Sequence, residues 1–224
     1  MKPNKTLLNK WINNITFIEG AYDSPTLHVQ NDSLLIKENK DSIHIAVAGS
    51  NGNRADWIGS RGNFSLTQDL IPDVNKTATR GFVNSALECY DAISPLINKN
   101  KVVICGHSRG GPIASIVACL IYEKLYIDNI ELTTFGSPRF TTDESFKDYK
   151  FIRESCRVVF SGDVITKMPK RCFCNFKIKK MIELGREYIL GEEKDRHAGK
   201  ILDNYDAHQI SMYKSICYDM ERKT

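Results

Sequence analysis

A serine, an aspartate and a histidine far apart in this chain are of the right types to break an acyl bond together. Ser108 stands in Gly106-His107-Ser108-Arg109-Gly110, a G-x-S-x-G pentapeptide. A serine hydroxyl is a weak nucleophile at neutral pH. It needs an imidazole to take its proton and a carboxylate to hold that imidazole in the right tautomer. Where such a serine sits on a strand-to-helix elbow, the acid follows it in the chain and the base comes last. That order leaves His197 and His208 as candidate bases and sets aside His28, His44 and His107. Asp163, after R-V-V-F-S-G, has the place expected of the acid, on a loop just past a strand. His208, in Y-D-A-H-Q, opens an amphipathic C-terminal stretch, whereas His197 lies in the charged K-D-R-H-A, so His208 is the favoured base. Each residue has a plainer reading: Ser108 as the cap of a buried glycine-rich turn, Asp163 as a turn former after Gly162, His208 as a histidine at a helix start. Their joint order favours the chemical one.

The elements around Ser108 must be able to hold it. Val102-Val103-Ile104-Cys105 is a short continuous apolar run, the mark of a strand buried on both faces of a parallel sheet. Ile113, Ile116, Val117, Leu120 and Ile121 then recur at helical spacing. Strand, sharp turn and helix would present the serine hydroxyl above the sheet, beside the unpaired N–H groups of a helix start. Glycines two residues before and after the serine are then required, because a side chain there would strike the neighbouring strand or helix.

The rest of the chain supplies a frame for that elbow. Residues 1 to 20 carry Leu7, Leu8, Trp11, Ile12 and Ile15 at helical spacing. Thr26 to Gln30 and Ser33 to Lys37 read as an edge hairpin turning at Asn31-Asp32. A strand over Ser42 to Gly49 follows, and Thr79 to Asn98 reads as an amphipathic helix. Strands over Ile130 to Ser137, Cys156 to Phe160 and Gly185 to Leu190, and a helix over Ala207 to Met220, complete the pattern. Strands separated by helix-length segments imply right-handed crossovers and a mostly parallel sheet.

Length and composition bound the possibilities. With 224 residues and 42% hydrophobic content, one domain spanning 1–224 is expected. A net charge of +4 argues for neither nucleic acid nor membrane. Lysines and asparagines interrupt the first 20 residues and no stretch is long enough to span a bilayer, so a cytoplasmic or otherwise soluble chain is expected. Seven cysteines fit reduced thiols better than a disulfide framework. Cys172-Phe173-Cys174 is too tightly spaced, without a second pair, to suggest a zinc site.

The motifs together resemble class 3 lipases, the fungal-lipase-like branch of the α/β-hydrolases. The resemblance rests on A-V-A-G-S at 46–50, T-R-G-F at 79–82, G-H-S-R-G-G at 106–111, T-F-G-S-P-R at 134–139, S-G-D-V-I-T-K-M-P at 161–169 and the segment around Asp206-Ala207-His208. It implies an α/β-hydrolase fold, a mostly parallel central sheet flanked by helices, with a short lid-like loop after the third strand. It implies that Ser108, Asp163 and His208 are nucleophile, acid and base. By the same resemblance the backbone N–H of Ser50 and that of Arg109 form an oxyanion hole. The lid would lie within Asn51 to Leu66, with Trp57, Ile58 and Phe64 as lid or substrate-binding residues. An ordinary loop whose aromatic residues tuck into the core is the other reading of that segment.

The chain departs from the family pattern at Ala48, where arginine is frequent, and at Arg109, where leucine is common. An arginine beside the nucleophile would attract a phosphate or carboxylate on the substrate, or else point to solvent. Lys167 to Lys180 holds six basic residues with Phe173 and Phe176 and no acid. Contact with an anionic lipid surface, a nucleic-acid groove and a solvated basic face are its three readings, the last the commonest for such a run.

The expected activity is therefore carboxylic-ester hydrolysis through a Ser-His-Asp triad and an acyl-enzyme, with a lipid ester (acylglycerol or phospholipid) as the favoured substrate, no metal or organic cofactor, peripheral contact with a lipid surface as one option, and no nucleic acid. A catalytically idle hydrolase fold used as a binding or signalling module is the alternative.

Overall fold

Hydrophobic runs buried on both faces build the central sheet, and a computed structural model shows how they are ordered. It describes residues 3–50, 67–174, 177–182, 184–190 and 208–223. Helix α1 (Lys5–Asp23) precedes a hairpin of β1 (Leu27–Val29) and β2 (Asp32–Glu38), then strand β3 (Ile43–Val47). A second hairpin, β4 (Gln68–Ile71) and β5 (Lys76–Thr79), leads into helix α2 (Arg80–Ile93). Strand β6 (Lys101–His107), helix α3 (Gly110–Leu125), strand β7 (Asn129–Phe135), the short helix α4 (Lys150–Glu154) and strand β8 (Cys156–Phe160) follow. A small hairpin of β9 (Arg171–Cys174) and β10 (Lys177–Lys180), strand β11 (Arg186–Leu190) and helix α5 (Ile210–Glu221) close the order.

Seven strands pair in the order β1-β2-β3-β6-β7-β8-β11. From β3 to β11 every pairing is parallel, while β1 and β2 run antiparallel at one edge. Alternate side chains go to opposite faces, as strand geometry requires. Ile43, Ile45 and Val47 of β3, with Val102 and Ile104 of β6, meet helices α2, α3 and α4. Ala46 of β3 and Cys105 of β6 meet helices α1 and α5, together with Trp11, Ile15 and Tyr213. Helix α3 is buried at every position from Gly110 to Ile121, so it is the inner helix of its layer.

The register brings the C-terminal ends of the parallel strands to one edge. Val47 lies opposite Gly106, Gly106 opposite Thr134, and Phe135 opposite Val158. Loops leaving β3, β6, β7 and β8 therefore converge, as ligand-binding loops do in open α/β sheets.

One local expectation is corrected, and two short hairpins add to the pattern. The first hairpin turns at Gln30-Asn31, not Asn31-Asp32: Gln30 takes φ 51°, Val29 pairs with Asp32, and Asp32 becomes the buried first residue of β2. The β4–β5 hairpin was not anticipated, because its strands are only four residues each with no clean alternation of burial; Asp73 and Asn75 take the left-handed backbone of its turn. Within the basic run that reaches Lys180, β9 and β10 pair as an antiparallel hairpin. Among the described residues no helix is long and apolar enough to cross a membrane.

Candidate active site

The turn between β6 and α3 holds its backbone under tight constraint. Ser108 adopts φ 53°, a left-handed conformation that a residue with a Cβ holds only when its surroundings over-determine it. Its N–H donates to the Phe135 carbonyl at 3.0 Å, and its own carbonyl accepts from Gly111 N at 3.0 Å. Both flanking glycines allow close approach. A Cβ at Gly106 would lie 2.2 Å from the Gly110 carbonyl oxygen, and one at Gly110 would lie 2.2 Å from that of Val47. Strand β3 thus packs against the first turn of α3, and Gly49, just past β3, comes so near that a Cβ there would sit 2.8 Å from Ser108 Cβ. Ser50 follows directly. The N-terminus of α3 adds its positive dipole end beside the serine.

Asp163 and His208 meet Ser108 above this edge. His208 Nε2 lies 2.7 Å from Ser108 Oγ, and His208 Nδ1 lies 2.7 Å from Asp163 Oδ2. A carboxylate only accepts, so Nδ1 carries the proton and Nε2 is left to accept the serine hydroxyl. Asp163 is wholly buried, and a buried carboxylate needs donors. Oδ1 accepts from Ile165 N at 2.9 Å, and Oδ2 also accepts from the Tyr213 hydroxyl at 2.7 Å. Burial, reinforced by the Asp163 charge, pushes the Tyr213 phenol well above its ordinary pKa, so it stays a donor. Arg157, on β8, donates to the carbonyls of Ser137 at 3.0 Å and Thr166 at 2.7 Å and pairs with Glu187, bracing the loop that carries Asp163.

Beneath the elbow lies a second buried histidine. His107 Nε2 is 2.8 Å from the His208 carbonyl and its Nδ1 is 2.7 Å from the Tyr22 hydroxyl, which accepts Gly49 N–H at 2.7 Å. Burial first, and then the neighbouring His208, lowers the His107 pKa to about 3. His107 is therefore neutral at ordinary pH, and it is a strut, in keeping with its exclusion as a base.

Arg109 differs from both expectations for its side chain. The guanidinium neither faces an incoming substrate group nor points to solvent: it is buried, paired with Asp32 through Nη1 and donating from Nη2 to Ser85 Oγ at 2.5 Å. The start of β2 and helix α2 close over the first turn of α3, and a guanidinium enclosed there requires a buried counter-charge. Burial lowers its pKa to about 10, still charged at neutral pH.

The other candidates divide plainly. Trp57, Ile58 and Phe64, with the whole expected lid, lie outside the described residues, as does His197. His28 and His44 hydrogen-bond Ser33 and Ser42, away from Ser108. Among the described residues no cluster of three His, Cys, Asp or Glu side chains could hold a metal ion. Sequence reading missed Tyr22, Tyr213 and Asp32. For Tyr213 there was a usable signal: a tyrosine on a buried helix face must find a partner for its hydroxyl.

Comparison with known proteins identifies the family and the fold. The family described as Lipase (class 3) matches residues 44–173. No curated protein matches the chain. Among solved structures, a fungal lipase–inhibitor complex presented as a model for interfacial activation in lipases is 19% identical, with a TM-score of 0.65 over 86% of this chain and 83% of that one. The native Rhizomucor miehei lipase propeptide complex is 17% identical, with a TM-score of 0.60 over 86% of this chain and 71% of the other. Lipase II from Rhizopus niveus is 15% identical, with a TM-score of 0.57 over 75% and 76% of the two chains. At such identities these likenesses establish the shared α/β-hydrolase fold.

Proposed function

The chain belongs to the class 3 lipase family, and from that premise we propose that it is a serine hydrolase of lipid carboxylic esters, acting through Ser108, His208 and Asp163. One observation carries the reading. Ser108, held at positive φ on its elbow, has its hydroxyl 2.7 Å from His208 Nε2, while Asp163 lies 2.7 Å from the opposite ring nitrogen.

Ser108 Oγ attacks the ester carbonyl carbon as His208 Nε2 takes its proton, and Asp163 stays ionised, stabilising the imidazolium. The N–H groups of Ser50 and Arg109 hold the negative oxygen of the tetrahedral intermediate. Its collapse breaks the C–O bond, and His208 returns the proton to the departing alcohol. Water, deprotonated by the same nitrogen, then attacks the acyl-enzyme and frees the acid and Ser108.

An acylglycerol or phospholipid is the proposed substrate. The similar solved proteins named above are lipases, and one is titled for interfacial activation. Val164, next to Asp163, and Met168 expose apolar side chains on the loop that carries the acid, which suits contact with a lipid surface.

Hydrolysis of p-nitrophenyl esters of increasing chain length tests this, beside Ser108→Ala and a serine-directed phosphonate, with and without detergent. Turnover should prefer long chains, fall at least about 10⁴-fold in the variant, and vanish on labelling. A folded protein with neither turnover nor label at Ser108 would make this chain an idle binding module.

A further inference from the structure

The proposed chemistry uses the backbone N–H of Arg109 and gives its side chain no part. Yet that side chain is only 7% exposed and its partner Asp32 only 2%. Removing two charges from water is costly, and apolar side chains of similar volume would often serve stability as well or better. Leucine, common at this place in the family, would be such a filler. The reason for an ion pair here is better sought in geometry.

The pair joins points that matter to the site. Asp32 opens β2 and receives Arg109 Nη1, while Ser85 of α2 receives Nη2 at 2.5 Å. The next residue, Ser33, accepts the N–H of Ala48 on its carbonyl at 3.0 Å. Ala48 is two residues before Ser50. Adjacent residues at the start of one strand therefore hold both candidate oxyanion donors, Ser33 through the backbone ladder and Asp32 through the guanidinium of Arg109. The peptide linking Ser108 to Arg109 carries the second donor, and it flanks a residue at φ 53°. Rotation about the Ser108 Cα–C bond would swing that peptide and turn its N–H away from the oxyanion. A side chain anchored from residue 109 opposes the rotation.

We propose that Asp32, with Ser85, is a positioning residue that acts through the Arg109 side chain to aim the Arg109 N–H at the oxyanion. The proposal rests on the serine-hydrolase reading given above. Neither Asp32 nor Ser85 touches the substrate; both set the geometry of a group that does, and that geometry is effective only in the transition state.

The test compares wild type with Asp32→Asn, Arg109→Leu, the double variant and Ser85→Ala. Active sites are titrated with a phosphonate, and kcat, KM and the second-order rate of Ser108 phosphonylation are measured per titrated site. We expect Asp32→Asn and Arg109→Leu each to lower kcat about tenfold or more, with KM within about twofold and phosphonylation slowed in parallel. The double variant should be no worse than the worse single one, because one linkage is broken either way. Ser85→Ala should show the same pattern more weakly, and with the charge-free double variant it carries the test if Asp32→Asn does not fold. A merely structural pair would lower yield and melting temperature but leave kcat per titrated site unchanged, which overturns the proposal. So would a double variant with wild-type kcat. Wild type that neither turns over nor labels overturns the serine-hydrolase reading and this one with it, whereas active wild type with unaffected variants overturns this one alone.

Discussion

The Tyr22 hydroxyl, on the last turn of α1, donates to His107 Nδ1 at 2.7 Å directly beneath the nucleophile elbow. The direction of that bond follows from its neighbours. His107 Nε2 faces the His208 carbonyl at 2.8 Å, and a carbonyl only accepts, so Nε2 holds the proton and Nδ1 must accept. The Tyr22 oxygen is then free to accept Gly49 N–H at 2.7 Å. One chain of bonds links the residue before Ser50 to the backbone of the proposed base.

Tyr22→Phe breaks that chain in the middle, leaving a Gly49 N–H and a buried ring nitrogen without this partner. The variant should lose about 1–3 kcal/mol of stability, read from urea unfolding. Per titrated site its kcat should fall with little change in KM, because Ser50, next to Gly49, is proposed to bind the transition state more tightly than the substrate. An unchanged unfolding midpoint would mean that water replaces the hydroxyl without cost.

His107 should make the fold acid-sensitive. In the folded chain burial lowers its pKa from 6.5 to about 3, while the unfolded chain keeps the ordinary value. Below pH 6.5 the unfolded state gains a proton that the native state refuses, so stability falls as pH drops towards 3. The slope from this one group approaches ~1.4 kcal/mol per pH unit in that window. His107→Gln should be less stable at neutral pH but flatter by about one proton's worth of slope in unfolding titrations from pH 6 to 4. In the wild type, nitrogen NMR should show the neutral Nε2–H tautomer of His107 persisting through the same range.

How far the sequence disclosed this site depends on where each partner lies. The juxtaposition of Ser108, Asp163 and His208 was legible: chain order left His197 and His208 as bases, strand-end placement pointed to Asp163, and the amphipathic stretch that His208 opens favoured it over His197. The parallel strands were legible too: runs such as Val102 to Cys105 are apolar on both faces. Asp32 was hidden by a shift of one residue. Read as a turn former, it is instead the first residue of β2, and period-two alternation then sends its carboxylate inward to Arg109. Arg109 was misread as substrate-facing or solvated because a lone charge after a nucleophile carries no sign of a counter-ion 77 positions earlier. Tyr22 meets His107 across 85 positions, a separation no local pattern spans.

Tyr213 should tune the proposed base from behind. Its hydroxyl shares Asp163 Oδ2 with His208 Nδ1–H and accepts Phe160 N–H at 3.1 Å. Tyr213→Phe removes one donor from the carboxylate, which then concentrates more negative charge on the imidazole. It also holds the imidazole less firmly, and kcat per titrated site should fall several-fold with little change in KM. Stability should fall by about 1.5–3 kcal/mol, as for a lost hydrogen bond to a charged group. An unchanged kcat per titrated site while stability falls would assign Tyr213 to packing alone.

Two glycines near the site should respond oppositely to the same added methyl group. At Gly110 a Cβ would meet the carbonyl oxygens of Val47 at 2.2 Å and Ala48 at 2.6 Å. Both are backbone atoms of the segment leading to Ser50, and they cannot turn aside as a side chain does. Either α3 lifts off β3 or the chain end carrying Ser50 moves away from Ser108. Gly110→Ala should therefore cost about 3 kcal/mol or more, and any folded fraction should label slowly with phosphonate, since the displaced strand end carries a proposed oxyanion donor. At Gly162, next to Asp163, the nearest atoms belong to the Phe160 ring, the closest at 2.9 Å. A ring can swing, so Gly162→Ala should cost less than about 1 kcal/mol and leave labelling intact. Equal tolerance at both positions would show that the approach of β3 to α3 is loose, and that something other than this contact holds Ser50 beside Ser108.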